Sequence, residues 1–338
     1  MGDGTKDSPY TREDVLSLME TEVGVDGSLD LSEKHFEIGI DLSNIDLTGL
    51  IFNGVKFNKV NFSNSTLHNC QFRDVSLIGA NLESALLSES HLEGANLSGA
   101  NMKNVELDGA HLEEARLARA HLEGAEFFNA HLEDADLMST SLDRSRLSGA
   151  YLQGALMHGA KFTYNTEMHS VNWGDYILGE ERTWYKSKEI HYLRWAEDTY
   201  RRLKMWYTNA GISDTAAKFY YREKEVSRKA ATRPLDKISG WLSWAVFGHG
   251  ERWRRILIWI ACLILLFGFI YYLFGSAWSV GDFWSSLYFS AVSFTALGYG
   301  GWVNVDNDWI WGIGAFESLV GVSLLALLLV TFFRKWTR

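Results

Sequence analysis

His91-Leu92-Glu93-Gly94-Ala95-Asn96-Leu97-Ser98-Gly99-Ala100-Asn101-Met102 carries a large apolar residue at every fifth position and a small one two places before it. The beat runs without a slip from Leu42 through Leu47, Phe52, Phe57 and Phe62 to Leu147, Leu152, Met157 and Phe162, twenty-five positions in all. The smaller residue two places earlier is Ile40 or Val55 near the start, then Ala95, Ala100, Ala110, Ala115, Ala120 and Ala125. A period of five matches neither the roughly 3.6 of an α-helix nor the alternation of a strand. Short fixed periods mark a solenoid, in which each unit buries its apolar face only by stacking on its neighbours.

Ala80-Asn81-Leu82 and Ala135-Asp136-Leu137 have the form A-(D/N)-L-x-x, and on that pattern residues 36–165 resemble the pentapeptide-repeat family. The resemblance implies a right-handed quadrilateral β-helix, large and small residues inside, with four repeats per coil. The rod then has about six coils and a length of roughly 30 Å at one strand spacing per coil. It is mildly acidic, with 17 acidic and 9 basic residues between 36 and 165, which is compatible with the branch of the family that mimics DNA and binds topoisomerases. A structural rod with a surface open to a cytoplasmic partner is the plain expectation.

One face carries a further pattern. His91, His111 and His131 recur every 20 residues, each followed two places later by Glu93, Glu113 or Glu133. At four repeats per coil they stack on one outer face. Histidine changes charge near neutral pH, so the column is a candidate for metal or proton sensing. The alternative is a solvated ladder, because stacked imidazoles lack the closed tetrahedral arrangement of a structural zinc site.

The flanks read differently. Residues 1–35 hold a short helix, capped around Thr11-Arg12-Glu13-Asp14, and a cap. Residues 166–250 form a helical connector, beginning as an irregular cap at 166–180. From Glu181 the spacing of Tyr192, Trp195, Tyr200, Leu203 and Trp206 is helical. Asn209-Ala210-Gly211 stops that helix, Ser213-Asp214 caps a second, and Pro234 ends it. This hairpin resembles the one that often separates pentapeptide repeats from a two-helix channel. Leu235, Ile238, Trp241, Leu242, Trp244, Ala245 and Phe247 then make an aromatic-rich amphipathic stretch suited to a membrane interface.

Ten of the fourteen Trp lie after residue 240, and residues 251–338 read as a membrane domain. Residues 256–274 are an uncharged apolar run of 19, and 309–333 a run of 25 interrupted by Glu317; each suffices for a crossing of about 20 residues. Arg252, Arg254 and Arg255 precede the first, Arg334, Lys335 and Arg338 follow the second, and the intervening loop has no Lys or Arg. The positive-inside rule therefore puts both termini, and the repeats, in the cytoplasm of a cell inner (plasma) membrane protein.

Between the spans, residues 282–295 predict a helix of about 21 Å, too short to cross the core, that must enter and return. Thr295-Ala296-Leu297-Gly298-Tyr299-Gly300 follows. Irregular glycine backbone at membrane depth survives only where it is buried or lines a water-filled path. Leu287-Tyr288-Phe289-Ser290-Ala291-Val292 and this segment resemble the pore helix and filter of two-helix potassium channels. The resemblance covers residues 251–338 and implies a homotetramer whose filter carbonyls, residues 296–300 with Thr295 before them, replace an ion's water shell. It also implies potassium as permeant ion, no other cofactor, and a bend in the second span at Gly321, where a packing glycine is the alternative. Glu317 either supports the filter by hydrogen bonds or adds charge at the cavity entrance.

Two positions depart from the family: Ala296 stands for the filter threonine and Gly301 for the acidic residue after the filter. Both weaken selectivity, leaving a non-selective pore that admits sodium as the alternative. A membrane-anchored scaffold that does not conduct is the other, although anchoring requires no glycine filter.

The net charge of −10 argues against non-specific nucleic-acid binding. Cys70 and Cys262 sit far apart in apolar slots and predict free thiols. The N-terminus lacks a charged-then-apolar leader, so no cleaved signal peptide is expected. No nucleophile elbow, phosphate-binding glycine loop or paired-histidine metal motif is present, and no enzyme is predicted.

Overall fold

A computed structural model describes residues 2–22, 29–250, 253–274, 282–296 and 308–336. They form two units that divide after Val226.

In the first unit the large residue of every repeat from Leu42 to Met157 is buried, as is almost every small one two places before it. The residue just before each large one makes a single parallel bridge to its equivalent 20 positions on, as in Asp41–Asn61, His91–His111 and Ser141–Lys161. Four repeats therefore make one coil of a β-helix. The coils join through backbone hydrogen bonds such as Leu42 N–H to Asn61 O, 2.8 Å, and Leu92 N–H to His111 O, 2.6 Å. Two residues after each large one the chain turns, often through the left-handed region: φ is 56° at Asn44 and 67° at Gly109. Asn and Gly tolerate that region best, which is why they recur there.

The interior changes along its length. Phe52, Phe57, Phe62 and Phe72 pack ring against ring near the start, with Phe52 stacked on Phe72 at 5.2 Å. Polar members of the small column find backbone partners: Ser65 Oγ donates to Leu42 O and Ser90 Oγ to Leu67 O, each at 2.6 Å. Cys70 Sγ lies 3.0 Å from Leu47 O. Burial pushes its thiol up to about 12.

The ladder runs past the stretch that five-residue spacing marks. It includes Asp30–Ile51 before it, and Arg146–Glu167 and Tyr151–Asn172 after it. The last two pairs are 21 apart, so one extra residue is accommodated in the loop at 163–165. Met168 and Trp173 take the inward places there, and Phe162 is only half-buried, under the Arg202 guanidinium at 4.5 Å. The 166–180 segment is thus in part a further coil. A coil requires an inward apolar residue and a paired backbone, and both survive a change of spacing.

Helix α1 (Arg12–Thr21) starts at a Thr11/Asp14 capping box and buries Val15 and Leu18. At the other end three helices follow, α2 (Gly179–Ser187), α3 (Ile190–Asn209) and α4 (Ser213–Ala230). The buried face of α3 is Leu193, Ala196, Thr199, Tyr200, Leu203, Trp206 and Tyr207; of the expected face Tyr200, Leu203 and Trp206 are buried, and Tyr192 and Trp195 are only half-buried. Trp195 instead stacks on His158 at 4.6 Å. Tyr207 Oη accepts from Trp173 Nε1 at 2.7 Å and donates to Met168 O at 2.9 Å, locking α3 to the last coil.

The second unit holds α5 (Pro234–Phe247), α6 (Trp253–Phe274), α7 (Phe283–Thr295) and α8 (Asp308–Trp336). α6 and α8 are long and apolar enough to cross a membrane, and many of their large apolar side chains, such as Leu265, Phe269, Leu319 and Val330, are exposed. Cys70 and Cys262 are both free, as expected; Cys262 is exposed on α6. Ile256, Phe294 and Leu324 form the buried centre where α6, α7 and α8 meet. The tip of α5 is held by Arg255, which donates to Trp244 O at 2.8 Å, and by Trp259 Nε1, which donates to Ala245 O at 3.0 Å.

Candidate functional site

α7 is built to be short. Asp282 caps it, its carboxylate accepting from Ser285 N–H at 3.3 Å, and after 13 residues Ala296 takes the left-handed conformation, φ 54° and ψ 25°. Thirteen residues rise about 20 Å, less than the roughly 30 Å of a bilayer core. Thr295 turns its hydroxyl back on its own helix, 3.0 Å from Ala291 O. Leu297, Gly298, Tyr299 and Gly300 lie outside the described residues.

Two residues of α8 seat this helix. Glu317 is fully buried and accepts from Tyr271 Oη of α6 at 2.7 Å and from Ser290 Oγ of α7. One carboxylate therefore ties three helices together. Tyr271 is itself placed by an edge-on contact with Phe289 at 4.8 Å. One turn on, a Cβ at Gly321 would overlap the carbonyl oxygen of Phe294, the residue before Thr295. Glycine is needed there for backbone approach between α8 and the end of α7. Gly268 of α6 is milder, its Cβ falling 3.1 Å from Leu287 Cα. Tyr271 and Ser290 are the site residues that sequence reasoning missed. Nothing in sequence singled them out: Tyr271 stands beside Tyr272, and Ser290 is one of four serines in α7.

The histidine column is formed in the first unit. His91 stacks on His111 at 4.8 Å and His111 on His131 at 4.9 Å, with rings within 7° of parallel. Tyr151, absent from the sequence pattern, continues the stack at 4.6 Å. Each Nδ1 faces the carboxylate two residues on, at 3.0 Å for Glu93, 3.2 Å for Glu113 and 3.4 Å for Glu133. Glu93 also meets Arg73, at 3.3 Å. Its carboxyl lies below the usual range: burial works to raise it, but the His91 hydrogen bond, its own backbone N–H and the Arg73 charge prevail.

A buried acid stands where α2 meets the last coils. Glu180 is fully buried, and its Oε1 accepts from Met157 N–H at 2.7 Å. Burial pushes its carboxyl up to about 7. Glu181 beside it, equally buried, is paired with Arg222 at 2.6 Å.

Comparison with known proteins gives three family matches within the chain. Residues 40–117 match a pentapeptide repeat region, residues 106–144 match pentapeptide repeats in eight copies, and residues 259–338 match an ion channel family. The chain therefore carries pentapeptide repeats in its N-terminal part and an ion-channel domain at its C-terminal end. No curated protein matches it. Among solved structures it is similar to HetL, a pentapeptide repeat protein involved in heterocyst differentiation regulation from the cyanobacterium Nostoc sp. strain PCC 7120. The identity is 20% over 48% of this chain and 94% of that one, with a TM-score of 0.20. QnrB1, a plasmid-mediated fluoroquinolone resistance protein, is 16% identical over 44% of this chain and 82% of its own, TM-score 0.24. A pentapeptide repeat protein of the Arabidopsis thaliana thylakoid lumen is 28% identical over 28% and 67%, TM-score 0.19. At such scores these likenesses bear no weight for function.

Proposed function

We propose that the chain is one subunit of a homotetrameric, potassium-type cation channel of a cell inner (plasma) membrane. The β-helix, four-sided in this reading, is its cytoplasmic domain and regulates or tethers the pore. α6 and α8 span the bilayer, α7 is a re-entrant pore helix, and residues 296–300 form the filter. Four copies are needed because one pair of spanning helices encloses no pore.

The observation that carries this reading is the seating of α7. A 13-residue helix lies against two span-length helices, fixed by a buried Glu317 and by Gly321, and ends in a left-handed turn at Ala296. A membrane anchor requires none of these, whereas a filter must be held at a fixed depth and orientation. A short helix pointing its C-terminal end into the membrane also presents the negative end of its dipole to a cation. In this reading Glu317 supports the filter from behind, the place where Gly301 has removed the family's acidic brace. Gly321 serves close packing in the conformation seen here, and bending at the same residue would require α8 to leave Phe294.

Permeation is read in a planar bilayer with opposing potassium and sodium gradients. A reversal potential at the potassium equilibrium value is expected. A value near zero with robust current favours the non-selective alternative, consistent with Ala296 in place of a filter hydroxyl. Silence across stimuli favours the anchored scaffold.

A further inference from the structure

The geometry points to a binding site for a borderline divalent metal ion, of the zinc or nickel class, on the β-helix at His111, Glu113 and His131. The pore reading plays no part in it.

Four observations converge. First, the side chains of His111, Glu113 and His131 each offer a ligand atom, and the three atoms lie within 4.8 Å of one another. Some point is then no farther than about 2.8 Å from all three; bonds of about 2.0–2.2 Å need each side chain to close in by roughly half an ångström or more, and an imidazole must swing out of the parallel stack to aim its in-plane lone pair at the ion. About a third of each side chain is exposed, so room for that rotation exists. Second, the 3.2 Å between His111 Nδ1 and Glu113 Oε1 is the edge of a chelate. With bonds of about 2.1 Å it subtends roughly 100° at the metal, between octahedral and tetrahedral values.

Third, the second carboxylate oxygen of each glutamate in the column, Oε2 of Glu93, Glu113 and Glu133, is buried without a hydrogen-bond partner among the described residues. A buried acceptor left unpaired is costly. Arg73 brings a cation to Glu93, but neither Glu113 nor Glu133 has a Lys or Arg ion-pair partner among the described residues. The carboxylates repeat once per coil, so their repulsion is relieved by a cation held between two coils. Fourth, the donor set selects the ion: two imidazoles and one carboxylate suit zinc, nickel or cobalt, whereas calcium and magnesium take oxygen ligands.

The same measures choose one end of the column. His91, Glu93 and His111 form a second group within 4.8 Å. There, however, an Arg73 nitrogen stands 3.1 Å from His91 Nδ1 and another 3.3 Å from Glu93 Oε1, so a guanidinium fills the position a metal would take. His111 belongs to both groups and cannot serve two ions at once. The site therefore takes one ion, between the coils of His111 and His131.

The test is isothermal titration of the detergent-solubilised full chain with ZnCl2, and separately with CaCl2. One zinc per chain is expected, with no calcium signal, and the affinity falls as pH drops because protons compete for imidazole. His131→Gln and Glu113→Gln are each expected to weaken zinc at least about tenfold, the scale at which even outer-shell changes act on metal sites. His91→Gln leaves zinc affinity within twofold. Circular dichroism checks that each variant keeps its β-helix, which surface substitutions on one face leave intact. Equal zinc affinity in wild type and His131→Gln overturns the proposal, as does loss in His91→Gln alone. Absence of a one-to-one site in the wild type overturns it as well.

Discussion

Glu180 gives the β-helix–connector junction a predictable pH dependence. Its carboxyl titrates near pH 7 in the folded chain, against an ordinary value of 4.5, chiefly because burial disfavours the charge; Asp136 adds a smaller push in the same direction. Hydrogen bonds from the backbone of Glu180 itself, Met157 and His158 oppose it and fall short. The folded pKa lies above the unfolded one, so the folded state holds a proton that the unfolded state releases. Below about pH 4.5 the residue is neutral in both and costs nothing; the penalty grows from there to about 7 and then levels off. A displacement of about 2.5 units corresponds to roughly 3 kcal/mol at full extent, of which about 2.5 falls between pH 5 and 8. His158, next to Met157, works in the opposite sense: burial lowers its pKa, so its own penalty fades as pH rises and takes a part off the loss.

The assay must read this junction locally, because two units need not unfold together. Native-state hydrogen exchange of peptides covering Met157 and Gly179–Arg182, corrected for intrinsic pH dependence, reports its opening. Protection in the wild type is expected to fall by somewhat under a hundredfold from pH 5 to pH 8. In Glu180→Gln the amide oxygen still accepts from Met157, and the fall is expected to disappear, leaving only the opposite slope that His158 contributes. Equal slopes in the two proteins would refute the reasoning, because another group would then set the pH dependence.

The remaining predictions concern the second unit and the thiols. Glu317→Ala removes the carboxylate to which Tyr271 and Ser290 both donate; Ser290 keeps Ile264 O at 3.0 Å, so the cost, about 1–3 kcal/mol, falls mainly on the hydrogen bond lost at Tyr271. The expected readout is a reversal potential moved toward zero in the bilayer experiment, with Glu317→Gln retaining more of the wild-type value. Gly321→Ala forces a methyl against the Phe294 carbonyl and is expected to lower tetramer yield in detergent, by size-exclusion chromatography, more than Gly268→Ala does. Cys70, fully buried with its thiol pushed up to about 12, stays unreactive toward a thiol reagent at pH 8 until the chain unfolds, as mass spectrometry of its tryptic peptide reads.

How much of this was legible depends on whether a feature repeats. The β-helix could be read because its interior is specified again in every repeat, at Leu42, Leu47, Phe52 and onward. The His91–His111–His131 stack followed from the same arithmetic, since a spacing of 20 is one coil. What stops the column was not legible: Tyr151 and Arg73 occupy equivalent places on neighbouring coils but differ in chemistry from what they adjoin. The ends of the solenoid were hidden for a related reason. Leu29, Leu31, Met168 and Trp173 are buried like repeat residues, yet one extra residue at each end, seen in the 21-residue pairs Asp30–Ile51 and Arg146–Glu167, breaks the spacing that announced the others. On α3 the aromatic residues suggested one face, and the packed face proved to be offset, because Trp195 found a partner in His158.

The membrane unit shows the other limit. Glu317 stood out, since an acid in an apolar span needs a partner, but Tyr271 and Ser290 lie 46 and 27 residues away in sequence. Nothing local links them, and only the meeting of three helices does. Gly321 likewise has two meanings in sequence and one contact in the fold. In the proposed pore, Ala296 lacks the family's filter hydroxyl and Gly301 its acidic brace, while Glu317 and Gly321 seat the helix that precedes it. Selectivity depends on how stiffly the coordinating oxygens are held as well as on their number. On the proposed reading, a filter short of one hydroxyl ring depends the more on the seating of α7, and Glu317 is the position whose substitution tests that dependence.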